Sequence, residues 1–130
     1  MQPIYDIAES DKSFDEAADD LDAAIQRHGF VILTRHDVGE SLRKRGIDFA
    51  EDCRVYDIDN PALSARLLDT DMRAALALPC RVAVWSENGT TRIGLMRPTA
   101  SCAAVSPSAA AAALAGEIEQ RIMQMIGDAR

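Results

Sequence analysis

The chain predicts an α+β fold: a single curved, mainly antiparallel sheet with helices on one face and a long C-terminal helix. Three observations carry that expectation. Strand-like and helix-like segments follow one another in the order β-α-β-α-β-α-β-β-α. The last two strand-like runs flank Asn88-Gly89, the pair that a two-residue type I′ hairpin demands because both central positions need positive φ. No Gly-rich strand-to-helix turn occurs, which argues against a doubly wound parallel sheet.

Residues 3 to 9 read as the first strand, with Ile4, Tyr5 and Ile7 as its β-formers. Ser13-Phe14-Asp15-Glu16 is a capping box, and Phe14, Ala17, Ala18, Leu21, Ala24 and Ile25 then recur at helical spacing. A helix over 13–28 follows, with Gly29 as its left-handed stop. Phe30 to Thr34 is a continuous apolar run that suits a buried strand. A second capping pattern, Asp37-Val38-Gly39-Glu40, opens a helix of about two turns that ends in Arg43-Lys44-Arg45 before Gly46. Cys53 to Ile58 forms the third strand.

Asn60-Pro61 opens the next helix, Asn as cap and Pro in the first turn, where its missing N–H costs nothing. Leu63, Leu67 and Leu68 supply its apolar face. The chain stays helical or turn-like from Asp71 to Leu78, where Pro79 breaks it. Cys80–Glu87 and Thr90–Arg97 make the hairpin. Ser106-Pro107 caps a final helix to about Ile126, whose stripe of Leu114, Ile118, Ile122, Met125 and Ile126 would lie across the sheet. At ~1.5 Å per residue that helix is about 30 Å long.

With 130 residues, 48% hydrophobic and 27% charged, a single domain over 1–130 with one core is the expected organisation. That balance excludes a disordered chain or a disulfide scaffold. Lys+Arg 14 against Asp+Glu 21 leaves a net charge of −7, which speaks against nucleic acid or an anionic membrane as partner. Seven acids against Lys12 alone lie between Glu9 and Asp22, a solvated helix face. The longest apolar run, Ala109 to Ala115, is too short to cross a bilayer. Cys53, Cys80 and Cys102 show no C-x-x-C spacing, so a reducing cytoplasm is the expected location.

No motif declares a reaction. G-x-S-x-G, G-x-x-x-x-G-K-[ST] and G-x-G-x-x-G are all missing, which neither establishes nor excludes an enzyme. His28 and His36 lie on different elements and read as structural. Trp85, Tyr56 and Tyr5 could line a pocket, though scattered aromatics are more often core. Cys80, at the start of a strand behind Pro79, could act as nucleophile or metal ligand if its pKa were lowered; Arg81 points to the opposite face and does not help. As a small hydrophobe the same thiol would simply be buried. Asn60 and Pro61 are explained by capping, yet their helix start could also offer N–H groups as an anion-binding corner near Cys80. Asp59 beside them would favour a cation instead.

Three segments, Gly29-Phe30-Val31-Ile32-Leu33, Asn60-Pro61-Ala62-Leu63 and Leu78-Pro79-Cys80-Arg81-Val82-Ala83-Val84, together resemble the bacterial domain of unknown function 302 family, strongly over about residues 4 to 98. The resemblance implies a TATA-binding-protein-like arrangement, an antiparallel sheet gripped by a long helix, and pairing as a homodimer. Many such domains carry a cysteine just before the Asn-Pro pair; here the position is Asp59, which weakens a two-thiol redox or metal site. Two functional expectations follow. One is a homodimeric module that binds a small ligand in the cleft between long helix and sheet, or a partner at the sheet edge. The other is a thiol-dependent protein in which Cys80, with Asp59 and Asn60, holds a soft metal, a haem-like group or a persulfide. The candidate site is therefore Asp59, Asn60, Pro61, Pro79 and Cys80, its cofactor unknown.

Overall fold

The computed structural model describes residues 3–130. Five strands, β1 (Tyr5–Ser10), β2 (Val31–Asp37), β3 (Cys53–Asp59), β4 (Cys80–Glu87) and β5 (Thr90–Met96), form one sheet in the order β1-β5-β4-β3-β2, with every neighbouring pair antiparallel. The β4–β5 hairpin turns on Asn88 (φ 51°) and Gly89 (φ 85°), as the Asn-Gly pair requires. The first strand, β1, then closes against the last, β5, leaving β1 and β2 as the two edges.

Five α-helices accompany the sheet: α1 (Phe14–Arg27), α2 (Val38–Lys44), α3 (Pro61–Thr70), α4 (Pro98–Val105) and α5 (Ala109–Ala129), with a 3₁₀ helix at Met72–Ala77. The period-2 alternation of the strands sorts their side chains into two faces. Tyr56, Ile58, Val82, Val84, Ile93 and Leu95 point inward and are no more than 5% exposed. They merge with the stripes of α1 (Leu21, Ile25) and α5 (Ile118, Ile122, Met125, Ile126) into one buried cluster. The small residues Ala17, Ala18 and Ala24 of α1 are fully buried, and the helix packs against α5 as well as against β2 and β4. The Tyr56 hydroxyl donates to the Ala18 carbonyl at 3.2 Å, so the one buried phenol of the inner face is satisfied.

Caps follow the sequence closely at α1, α2 and α3: Ser13, Asp37 and Asn60 accept from the N–H of Glu16, Glu40 and Leu63. Gly29 (φ 81°) ends α1, and the Phe30 N–H returns to the Ile25 carbonyl. Three expectations need correction. The run Phe30–Thr34 is not a buried strand: β2 is an edge, Val31 and Leu33 are about half exposed, and a register shift between Ile32 and Thr34 marks a bulge. A continuous apolar run does not distinguish a central strand from an edge whose bulge turns an extra residue outward. The final helix begins at Ala109, capped by Ser108 rather than Ser106-Pro107, and runs on to Ala129. The intervening Pro98–Val105 is a separate helix that the weak amphipathicity of PTASCAAV conceals.

No side chain of its own caps α4. Glu119, from α5, does so instead: its Oε1 accepts from the Thr99 N–H (3.1 Å) and hydroxyl (2.7 Å), and its Oε2 from Arg97 at 2.8 Å. Arg97 also donates through Nη1 to the Pro3 carbonyl (3.4 Å). Burial pushes the Glu119 carboxyl up, but Arg97 and Thr99 outweigh it and hold the group below the usual glutamate range.

Two predictions arise here. Ile122→Ala should cost about 3 kcal/mol in chemical denaturation, because the residue is fully buried; Met123→Ala, one position on but 41% exposed, should stay within about 0.5 kcal/mol. Glu119→Gln should cost about 2 kcal/mol, the scale of hydrogen bonds to a charged group. Because the native carboxyl is depressed, the stability it adds is complete above the unfolded-state value and fades as pH falls through the native one. The gap between wild type and Glu119→Gln should therefore narrow in acid, as read by thermal melts from pH 7 to about pH 3.

Candidate functional site

The antiparallel β3–β4 ladder pairs Ile58 with Cys80, which brings the end of β3 to the beginning of β4. Asp59 and Cys80 are thereby neighbours, and Asn60 and Pro61 follow directly at the start of α3. All five sequence-derived residues thus meet at one end of the sheet. Pro79 is exposed and follows Leu78 through a cis peptide.

Their chemistry is largely consumed locally. Pro61 has no N–H, the Leu63 N–H bonds to the Asn60 side chain at 3.2 Å, and the Ser64 N–H bonds to the Asn60 carbonyl at 2.9 Å. The anion-binding corner expected at this helix start therefore has few amides left to offer. Asp59 accepts a short hydrogen bond from the Ser64 hydroxyl. The Cys80 thiol packs against the core, and burial, reinforced by the Asp59 charge, pushes it up to about 11. At neutral pH it is a protonated, weakly nucleophilic thiol. Among the described residues no group of three or more His, Cys, Asp or Glu side chains is arranged to hold a metal ion.

The cleft expected between long helix and sheet is solid. Ile118, Ile122, Met125 and Ile126 are buried to 4% exposure or less, and no buried side-chain nitrogen or oxygen lacks a partner among the described residues. Open apolar surface lies instead on the opposite face of the sheet, where two of the three aromatics considered for a pocket, Tyr5 and Trp85, are found. There the strand register places Ile7, Gly94, Ala83 and Val55 in one row across four strands, with Tyr5 and Met96 to one side and Trp85 to the other. Gly94 has a visible reason to be glycine: a Cβ there would lie 3.0 Å from the Trp85 ring and 3.2 Å from the Ile7 side chain. The indole thus reaches across β5, and with Tyr5, Ile7, Ala83 and Met96 it lines a depression of 210 Å³. A second depression of 440 Å³, lined by Leu76, Pro79, Cys80 and Val105 among others, shares Arg81 and Met96 with the first.

Of the three aromatics considered for a pocket, Tyr56 is core while Tyr5 and Trp85 face outward. The missed signal was parity: residues 81, 83 and 85 alternate with the buried 82 and 84, so an outward row containing a tryptophan was readable. Of the basic residues of α1, β2 and α2, Arg45 donates to Ser41 and the rest are paired with acids. Arg27, Arg35, Arg43 and Lys44 each lie within 3.8 Å of a carboxylate, Asp128, Asp22, Asp52 and Glu40 in turn. His28 meets Asp128 at 2.7 Å, tying the end of α1 to the end of α5. Among the described residues no helix is long and apolar enough to cross a membrane.

Fold and surface together define a small α+β domain with one sheet face sealed by helices and the other bare. The family model described as "Domain of unknown function DUF302" matches residues 7–129, and the chain belongs to that family. The crystal structure of an uncharacterized conserved DUF302 protein from Bacillus stearothermophilus is similar over 98% of both chains, with a TM-score of 0.91 and 28% sequence identity. No curated protein matches the chain.

The state of Cys80 can be checked directly. A thiol reagent should leave Cys80 unmodified in the native protein and label it only after denaturation, as mass mapping of the modified peptides would read. Fast native labelling at neutral pH would mean the thiol is both reachable and ionised, contrary to its surroundings.

Proposed function

We propose that this protein is a homodimeric binding module, taking a small ligand or a partner protein on the bare face of its sheet. One observation carries this reading: the inward face is closed to water, while the outward face holds Tyr5, Ile7 and Met96 about half exposed around a tryptophan. Contiguous apolar surface of this kind marks a contact site on a folded domain. The two copies meet along β1, which leaves that face free. β1 is an edge strand of six residues with neither proline nor bulge, whereas the β2 edge is broken by its register shift. Antiparallel self-pairing centred on Ile7 sets Asp6 opposite Ala8 and Tyr5 opposite Glu9, so no like charges are directly opposed.

A cytoplasmic location and a single domain over 1–130 suit three unpaired cysteines and one buried cluster. The thiol-dependent alternative, with Cys80 holding a metal, a haem or a persulfide, has less behind it, because the thiol packs partly buried against the core and its pKa is raised.

Sedimentation equilibrium should return twice the chain mass, and hydrogen exchange should find the outward-facing amides of β1 as protected as those bonded to β5. A monomer mass with freely exchanging outer β1 amides overturns the dimer.

A further inference from the structure

We infer that the bare sheet face holds a site for an aromatic monocarboxylate, with Arg81 as its anion anchor and Trp85 as its apolar floor. The inference rests on reading this face as the working surface, and it names the ligand class that surface takes.

Charge on the face is distributed unevenly. Arg92 is consumed by two acids, donating to Glu87 at 2.6 Å and to Glu9 at 3.2 Å. Arg81 is held by one, through Nε to Asp57 at 3.0 Å, and its two Nη groups make no hydrogen bond among the described residues. Asp57 is itself steadied by the Thr34 hydroxyl at 3.0 Å. Arg81 is thus an oriented guanidinium with a free two-donor edge, the geometry that recognises a carboxylate bidentately. It stands at the rim shared by both depressions.

The floor and walls set the rest of the ligand. Trp85, Ile7, Ala83, Tyr5 and Met96 offer aromatic and aliphatic contact, and Gly94 is the gap that lets the indole lie across β5. A volume of 210 Å³ exceeds the roughly 150 Å³ of an apolar cavity that takes up benzene, so the depression has room for one phenyl ring. A single negative charge fits better than two: Asp57 already balances much of Arg81, and the chain carries −7 overall.

Trp85 is the sole tryptophan, so its emission reports this site alone. The test titrates the full chain with 3-phenylpropionate, with the uncharged 3-phenylpropanol as control, and repeats the series on Arg81→Gln and Arg81→Lys. The carboxylate should give a saturable change in Trp85 emission. Loss of the charge-assisted pair should weaken binding about tenfold or more, both for the alcohol and for Arg81→Gln. Arg81→Lys should recover part of the affinity. No saturable response, or equal binding by acid, alcohol and Arg81→Gln, overturns the inference. So does Trp85 emission that is already shielded without ligand and red-shifts on dilution, since a second copy then covers the face. Dimer mass and β1 exchange are measured on the same samples: a dimer with no response to the acid sinks the ligand class alone, and a monomer that still binds it sinks only the dimer.

Discussion

Everything in this molecule follows from the sealing of one sheet face. Six inward side chains from β3, β4 and β5 are apolar and essentially inaccessible, and burying each is worth on the order of 2 kcal/mol relative to exposure. The helices that cover them must come close, and α1, with three fully buried alanines in its stripe, packs against both α5 and the sheet. A larger side chain at Ala17, Ala18 or Ala24 would overpack this closed core. The cost of so complete a seal is that nothing enters the interior. Binding has only the outer surface to use.

Polar groups at the margin of the core tie the layers without weakening it. Glu119 would be a liability on a buried stripe of α5 if it lacked partners. It has four donor contacts from Arg97 and Thr99, and in return it supplies the anion that the N-terminus of α4 lacks on its own side chains. One residue therefore fixes the position of α4 against α5, and through Arg97 links both to Pro3, just ahead of β1. Arg54 plays a smaller part of the same kind at the other edge, its guanidinium 5.5 Å from the Phe14 ring and 3.3 Å from Asp37.

Where a local rule decides structure, the sequence was mostly legible; the start of α5, capped by Ser108 and not by Ser106, is the exception. The Asn-Gly turn, the Ser13 and Asn60 caps and the stop at Gly29 act through their own and adjacent residues, and each lies where its chemistry puts it. The meeting of Asp59 with Cys80 was legible as well, since a strand read as ending at 58 and another starting at 80 need only pair antiparallel. What escaped depends on partners remote in the chain. α4 is capped by a residue of the next helix, about twenty positions on, so its own segment carries no start signal. The exposure of β2 follows from the strand order, which places it at an edge rather than in the centre. The filled space beneath α5 follows from how α1 and α5 interdigitate, and no single stripe reveals that.

The neighbours Cys80 and Arg81 show how far a one-residue offset separates fates. Cys80 turns inward, where desolvation and the Asp59 charge stabilise its proton and suppress its reactivity. Arg81 turns outward, where water offsets most of the cost of its charge and Asp57 orients it without saturating it. A reactive thiol would need the opposite arrangement, with the cation beside the sulfur on one face. Pleating forbids that for adjacent strand residues, whatever the sequence around them. The same alternation that removes Cys80 from chemistry places the arginine beside the aromatic row, and the recognition potential of this end of the sheet therefore lies on the face that the helices leave uncovered.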